Sequence, residues 1–383
     1  MLIFAKRLDY RMDPRRLAKL LIMISLFPLL SACHAGRYIS WNTADIRDHQ
    51  RFPFYTINKA GHAFHFDKPV TEQEPQLPPA FNVKGKYGSF GSFIAAHHTL
   101  AFLIIRNDTI LYERYFGGTD TSTILPGFSV AKSFVSALTG IAVGEGLIRD
   151  VNQPVTDYLD GFRDPAIRNV SINNLLNMRS GIRFSETYYN PFGHAARFYY
   201  GRNLKRYVMN LRVKDRPGET YHYNSANSQI LAMIIERAGG KKFTEYFEEK
   251  IWSRIGTEYG ATWNYDSEKY GMVKAFCCLN ATARDFAKFG RLYLHGGNWE
   301  GERIIPAEWV AHSMDIHNDS RDSQDYPYTY YWRVLENGDI FAKGILGQYI
   351  YIIPSKNIII VRLGKKYAGI HWSALFREIA RQY

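Results

Sequence analysis

Ser129-Val130-Ala131-Lys132 stands where a Pro126-Gly127 loop gives way to an apolar run of helical period. Phe134, Val135, Leu138, Ile141 and Ala142 trace one helix face, and Gly144 and Gly146 end it. A hydroxyl at a helix N-terminus and an amine three residues later point the same way. Together they are the raw material of an activated serine nucleophile. The pair also reads more plainly, as an N-capping serine followed by a solvated lysine. A lysine in the first turn opposes the helix dipole, which favours anions there, and that misfit weighs toward chemistry. On the chemical reading the protein is a serine hydrolase and not a binding module.

Upstream, Phe102-Leu103-Ile104-Ile105, Arg106-Asn107-Asp108 and Thr109-Ile110-Leu111-Tyr112 read as a β-hairpin. Downstream, three helices are predicted: Ile172 to Met178, Ser225 to Ala238 and Ala283 to Leu294. They are closed by Ser180-Gly181, Gly239-Gly240 and Gly296-Gly297 respectively. Strands return at Tyr349 to Ile353 and Ile358 to Val361, across a turn at Pro354-Ser355-Lys356-Asn357. A last helix starts near His371. Strands flanking a helical middle predict an α+β fold (an α/β sandwich). An antiparallel sheet is flanked by helices, with an inserted, mainly helical lobe over about 150–300. Residues 33–92, broken by Pro75, Pro78, Pro79, Gly85, Gly88 and Gly91, read as an arm or linker ahead of a domain over 93–383.

Of the 383 residues, 46% are apolar and 22% charged, ordinary values for a globular protein. Tyrosine (27) and phenylalanine (24) are abundant, which suits an aromatic-lined cleft. Residues 1–32 read as a signal peptide: Arg15, Arg16 and Lys19 precede an apolar stretch, Leu20 to Ala32, that is too short to span a bilayer. Leu30-Ser31-Ala32-Cys33 resembles the lipobox of bacterial lipoproteins. In that family the signal is cut before the cysteine, which then carries lipid. An ordinary secretory signal with an incidental cysteine is the alternative. The lipoprotein reading makes Cys33 the lipidated residue, the membrane a partner and the bacterial cell envelope the location. His34 in place of Asp implies the periplasmic face of the outer membrane.

The net charge is +12, but residues 1–32 hold six basic and two acidic residues, so the chain beyond them stands at +8. That suits anionic lipid or cell-wall polymer. No clustered Lys/Arg run or nucleic-acid motif occurs, which sets nucleic acid aside. His62/His65 and His97/His98 are isolated, so neither a metal nor another cofactor is expected. Cys277 and Cys278 read as two small buried apolar residues and not as a vicinal disulfide.

Two further stretches complete a pattern. Tyr223-Asn224-Ser225 follows Pro217-Gly218, and Ala342-Lys343-Gly344-Ile345-Leu346-Gly347-Gln348 lies late in the chain. In order and spacing, residues from about 93 to 383 resemble the serine β-lactamase and penicillin-binding-protein superfamily. The nearest branch is that of class C β-lactamases, family VIII-type esterases and 6-aminohexanoate-dimer hydrolases. That branch carries Ser-x-x-Lys, then Tyr-x-Asn after a Pro-Gly, then Lys-Thr-Gly or His-x-Gly on a late strand. Leu175 to Gly181 and Asp285 to Gly290 are lesser echoes. Ser225 stands where β-lactamases have Asn, and Lys-Thr-Gly is absent. Both departures weigh against efficient β-lactam turnover and leave acyl-enzyme chemistry intact. Ser225-Ala226-Asn227 also fits the Ser-x-Asn of other penicillin-binding proteins, but the spacing from Pro217-Gly218 favours Tyr223.

The resemblance implies roles. Ser129 Oγ attacks an ester or amide carbonyl, and Lys132 and Tyr223 move its proton. The backbone N–H groups of Ser129 and Ile345 hold the oxyanion. Tyr188, Ser225, Gly344 and Gln348 are candidate substrate contacts. For Tyr188 the plainer reading, one of the surface aromatics of the Phe184 to Tyr200 loop packing on the lobe, is the favoured one. The substrate is a small ester, amide or peptide. Two alternatives stand beside this one. The first is a D-amino-acid peptidase or β-lactamase acting on cell-wall-type substrates. The second is an inactive envelope binding protein, which the intact Ser129, Lys132 and Tyr223 argue against.

Overall fold

A computed structural model describes residues 34–383. The expected signal segment, residues 1–32, and the expected lipidation site, Cys33, lie outside the described residues. In chain order the strands are β1 (Phe54–Ile57), β2 (Thr99–Arg106), β3 (Thr109–Tyr115), β4 (Leu125–Pro126), β5 (Ala261–Asn264) and β6 (Leu279–Ala281). They continue with β7 (Asn298–Trp299), β8 (Glu302–Arg303), β9 (Tyr328–Thr329), β10 (Trp332–Val334), β11 (Ile340–Gly344), β12 (Gln348–Ile353) and β13 (Ile358–Gly364). The main sheet has seven strands in the order β3-β2-β13-β12-β11-β10-β9, every neighbouring pair antiparallel. The expected hairpin is β2–β3. Its turn residues Asn107 and Asp108 take φ of 48° and 58°, and positive values at both positions match the twist of the flanking strands.

The central strands read as solid apolar runs because both sheet faces are covered. Side chains alternate across the sheet. Leu103, Ile105, Ile350, Ile352, Ile359 and Val361 enter the larger core, under the helices Ala131–Gly144 and Ala283–Leu294. Phe102, Ile104, Tyr349, Tyr351, Ile358 and Ile360 pack on the opposite face against Phe90, Phe93, Trp372 and Phe376. The helix Ala283–Leu294 lies close on the sheet because Gly290 leaves room: a Cβ there would sit 3.0 Å from Ile350 and Ile359 methyls. The same helix starts from a buried network. Asp285 pairs with Lys288 at 3.1 Å and accepts the N–H groups of Glu258 (2.8 Å) and Tyr259 (3.1 Å).

Two boundaries differ from expectation. The described part of the arm, residues 34–92, has no large core of its own, yet it is woven into the fold. β1 forms the edge of a second sheet, β1-β5-β6-β4. The helix Phe90–Ala96 covers the outer face of the main sheet. The helix His34–Trp41 docks on the helix His194–Tyr200, with Tyr38 edge-on to Tyr200 at 5.6 Å. These elements are short and find their partners far along the chain, so periodicity does not reveal them. The helical lobe is also narrower than 150–300. β5 and β6 belong to the second sheet, and Ala283–Leu294 belongs to the main-sheet face. No described helix is long and apolar enough to cross a membrane.

Candidate active site

Ser129 sits in a single 3-10 turn, Phe128–Val130, that leads into the helix Ala131–Gly144. The residue before it, Phe128, is buried at φ 48°. A non-glycine residue held in that region costs on the order of 1–3 kcal/mol, and such strain gathers at functional sites. Ser129 Oγ caps nothing at this helix start. It accepts a hydrogen bond from Lys132 Nζ at 3.0 Å. Lys132 is buried and donates a second bond to the Phe276 carbonyl at 2.7 Å. The plainer reading, a capping serine and a solvated lysine, is therefore set aside.

Phe276 precedes Cys277 and Cys278, which are joined as a disulfide and not separate as expected. Cys278 takes φ 74°, and this turn lets neighbouring sulfurs meet. Trp263 Nε1 donates to the carbonyls of Cys277 (2.8 Å) and Lys274 (3.1 Å). The segment that orients Lys132 is thus fixed from its far side.

Tyr223 ends the loop before the helix Ser225–Gly239, which Asn224 caps by accepting the Ala226 N–H at 2.9 Å. The Tyr223 ring centre lies 5.1 Å from Lys132 Nζ. Asn227 faces away: it is fully buried and accepts a hydrogen bond from Ser180 Oγ at 2.8 Å. Of the two overlapping motifs, the structure brings Tyr223 to Lys132 and turns Asn227 into the lobe.

The end of β11 closes on the nucleophile turn. A Cβ at Gly344 would sit 2.3 Å from the Gly127 carbonyl oxygen. Gly347 takes φ 83°, and a Cβ there would meet Arg362 Nη1. Arg362 donates to the Gly347 carbonyl at 2.6 Å and lies 3.6 Å over the Trp372 ring. These contacts are why the segment reads Gly-Ile-Leu-Gly, and they bring Ile345 beside Ser129. Gly344→Ala must push β11 off the turn. We expect a loss of about 1–3 kcal/mol in stability, read by thermal unfolding. A roughly 100-fold loss in kcat should accompany it, from misplacement of the site. An unchanged kcat would mean that this contact does not set the site's geometry.

Gln348 is corrected. Its amide exchanges two hydrogen bonds with the backbone of Gly364, at 2.8 and 2.7 Å, and it is buried. It ties β12 to β13 and does not face the cleft. Tyr188, Ser225, Gly344 and Ile345 do border cavities at Ser129. Glu186 is a residue that sequence reading missed. It accepts the Tyr188 hydroxyl at 2.9 Å and the Ser225 N–H. A lone glutamate in an irregular loop carries no pattern that could have flagged it.

Ser129 and Ile345 lie at the junction of two cavities. One, of about 40 Å³, is apolar and walled by Phe128, Phe184, Phe198, Tyr199, Tyr200 and Phe276. The other, of about 550 Å³, is polar and holds Tyr223, Arg321, Asp322, Arg333, Lys343 and Tyr367. Arg333 is paired with Asp322 at 2.5 Å. Lys343 donates to Gln324 Oε1, and no carboxylate lies within ion-pair distance of it among the described residues. Burial, and then the neighbouring Arg333, push the Lys343 ammonium down to about 8.

Comparison with known proteins decides the kinship. The family model described as Beta-lactamase matches residues 90–370. The chain belongs to the beta-lactamase family. Within it, the 6-aminohexanoate-dimer hydrolase of Paenarthrobacter ureafaciens is 29% identical over 288 residues, covering 69% of this chain and 72% of that protein. A solved structure from Bacillus anthracis, named "Putative 6-aminohexanoate-dimer hydrolase", superposes with a TM-score of 0.76 at 22% identity, over 90% of this chain and 94% of that one. A penicillin-binding protein from Bacillus halodurans superposes at 0.61 with 18% identity, over 75% and 97%. The two superpositions speak for the fold. This member of the beta-lactamase family is a hydrolase of the serine type.

Proposed function

We propose that the protein hydrolyses an ester or amide bond through an acyl-enzyme on Ser129. The observation that carries this reading is the 3.0 Å contact between Ser129 Oγ and the buried Lys132 Nζ, at the junction of two cavities. Lys132 takes the proton as Oγ attacks the carbonyl. The N–H groups of Ser129 and Ile345 receive the oxyanion. Tyr223 relays the proton to the leaving atom, and water then cleaves the acyl-enzyme. A proton donor must reach the leaving atom, and Tyr223 borders only the polar cleft of the two. The leaving group therefore lies in the polar cleft and the acyl group in the apolar cavity. The relative named 6-aminohexanoate-dimer hydrolase supports including amides. The Leu30-Ser31-Ala32-Cys33 sequence supports an envelope location with Cys33 as lipid anchor.

The test is labelling with a fluorophosphonate, followed by peptide mapping. A single adduct on Ser129 is expected. A folded protein with no adduct would overturn the reading.

Lys343 adds a pH dependence. A leaving group bearing a carboxylate meets an ammonium below pH 8 and a neutral amine above it. Charge-assisted bonds are worth about 1.5–3 kcal/mol, so KM for such an ester rises roughly tenfold or more as pH passes through that value. A neutral ester with the same acyl group shows no such rise. Lys343→Met should abolish the difference, and its persistence would exclude Lys343 as the anion's partner.

A further inference from the structure

One wall of the apolar cavity comes from the N-terminal arm. Tyr38, on the helix His34–Trp41, and Ala44, just beyond it, line the cavity together with Ser129. Tyr38 is held there twice. Its hydroxyl donates to the Tyr188 carbonyl at 2.9 Å, and its ring packs edge-on against Tyr200 at 5.6 Å. Tyr200 in turn donates from its hydroxyl to the Asn42 carbonyl at 2.6 Å, so the segment around Tyr38 is pinned on both sides. The space left is about 40 Å³.

We infer that Tyr38 sets the length of the acyl group the enzyme accepts, restricting it to short, apolar acyl chains. The inference rests on the acyl-enzyme reading above, which places the acyl group in this cavity. Chain length is read by contact with a fixed wall. A methylene that fits an apolar pocket gains about tenfold or more in kcat/KM, and one that meets a wall gains nothing or is refused. Tyr38 is a specificity residue on this account. It touches no reacting atom.

The experiment uses the full chain and p-nitrophenyl acetate, butyrate, hexanoate and octanoate. Wild type is expected to prefer acetate and butyrate. Tyr38→Ala should raise the hexanoate-to-acetate ratio of kcat/KM by roughly tenfold or more. Ala44→Leu fills the cavity from the same wall and should lower the butyrate-to-acetate ratio. Ile39→Ala is the control: Ile39 lies on the same helix but is 70% exposed and does not border the cavity. It should keep the wild-type ratios. A Tyr38→Ala profile like that of wild type overturns the inference, and so does a shifted Ile39→Ala profile. If Tyr38→Ala fails to fold, Ala44→Leu decides alone, and unchanged ratios overturn the proposal. Fluorophosphonate labelling of Ser129 is measured in every variant. Labelling with unchanged ratios rejects the length-setting wall only, whereas absence of labelling in wild type rejects the acyl-enzyme itself.

Discussion

Ser129→Ala lowers kcat for p-nitrophenyl acetate by roughly 10⁴–10⁶-fold, the range seen when the nucleophile of a hydrolytic serine site is removed. The variant is expected to fold normally. Ser129 Oγ accepts one hydrogen bond, from Lys132, and that lysine keeps the Phe276 carbonyl. Removing the hydroxyl therefore strips no buried donor of its last partner. Circular dichroism and thermal unfolding should match wild type, while turnover and fluorophosphonate labelling are both lost. A loss below tenfold would place the nucleophile elsewhere.

Lys132→Met is the second large effect. Methionine fills much of the lysine's volume, which matters because Lys132 is buried beneath the cleft. It cannot take a proton. Removal of a positioned base costs on the order of 10²–10⁴ in rate, and kcat is expected to fall by that much with KM nearly unchanged. Labelling of Ser129 should slow in parallel, because the same proton must leave. The double variant with Ser129→Ala should be no worse than Ser129→Ala alone, since residues acting as a unit are not additive. Labelling at the wild-type rate in Lys132→Met would make Tyr223 the base and Lys132 a structural residue.

Much of the main sheet was legible in the chain because its signals are local. Apolar strands separated by Asn107-Asp108 and by Pro354 to Asn357 identify themselves through turn chemistry. The helix Ala283–Leu294 appears at its expected bounds because its apolar face is periodic and Gly296-Gly297 follows it. Ser129 and Lys132 were legible for the same reason: three residues apart at a helix start, they meet whatever the rest of the fold does.

What lay hidden depended on contacts distant in sequence. Gln348 and Ile345 are near neighbours in the chain, yet Ile345 borders both cavities and Gln348 is spent on the backbone of Gly364. Only strand pairing decides which way each points. Glu186 acts through Tyr188 and Ser225, and Tyr38 enters the cavity from a helix that looked like linker. The joined Cys277–Cys278 pair depends on a left-handed backbone that composition does not report. By itself, the sequence determined the fold class and the contact between Ser129 and Lys132, because both follow from periodicity and short-range spacing. The tertiary structure alone decided which side chains wall the two cavities and how large those cavities are. Cavity shape is the sum of contacts between segments as far apart as Tyr38 and Ile345, and no local pattern encodes it.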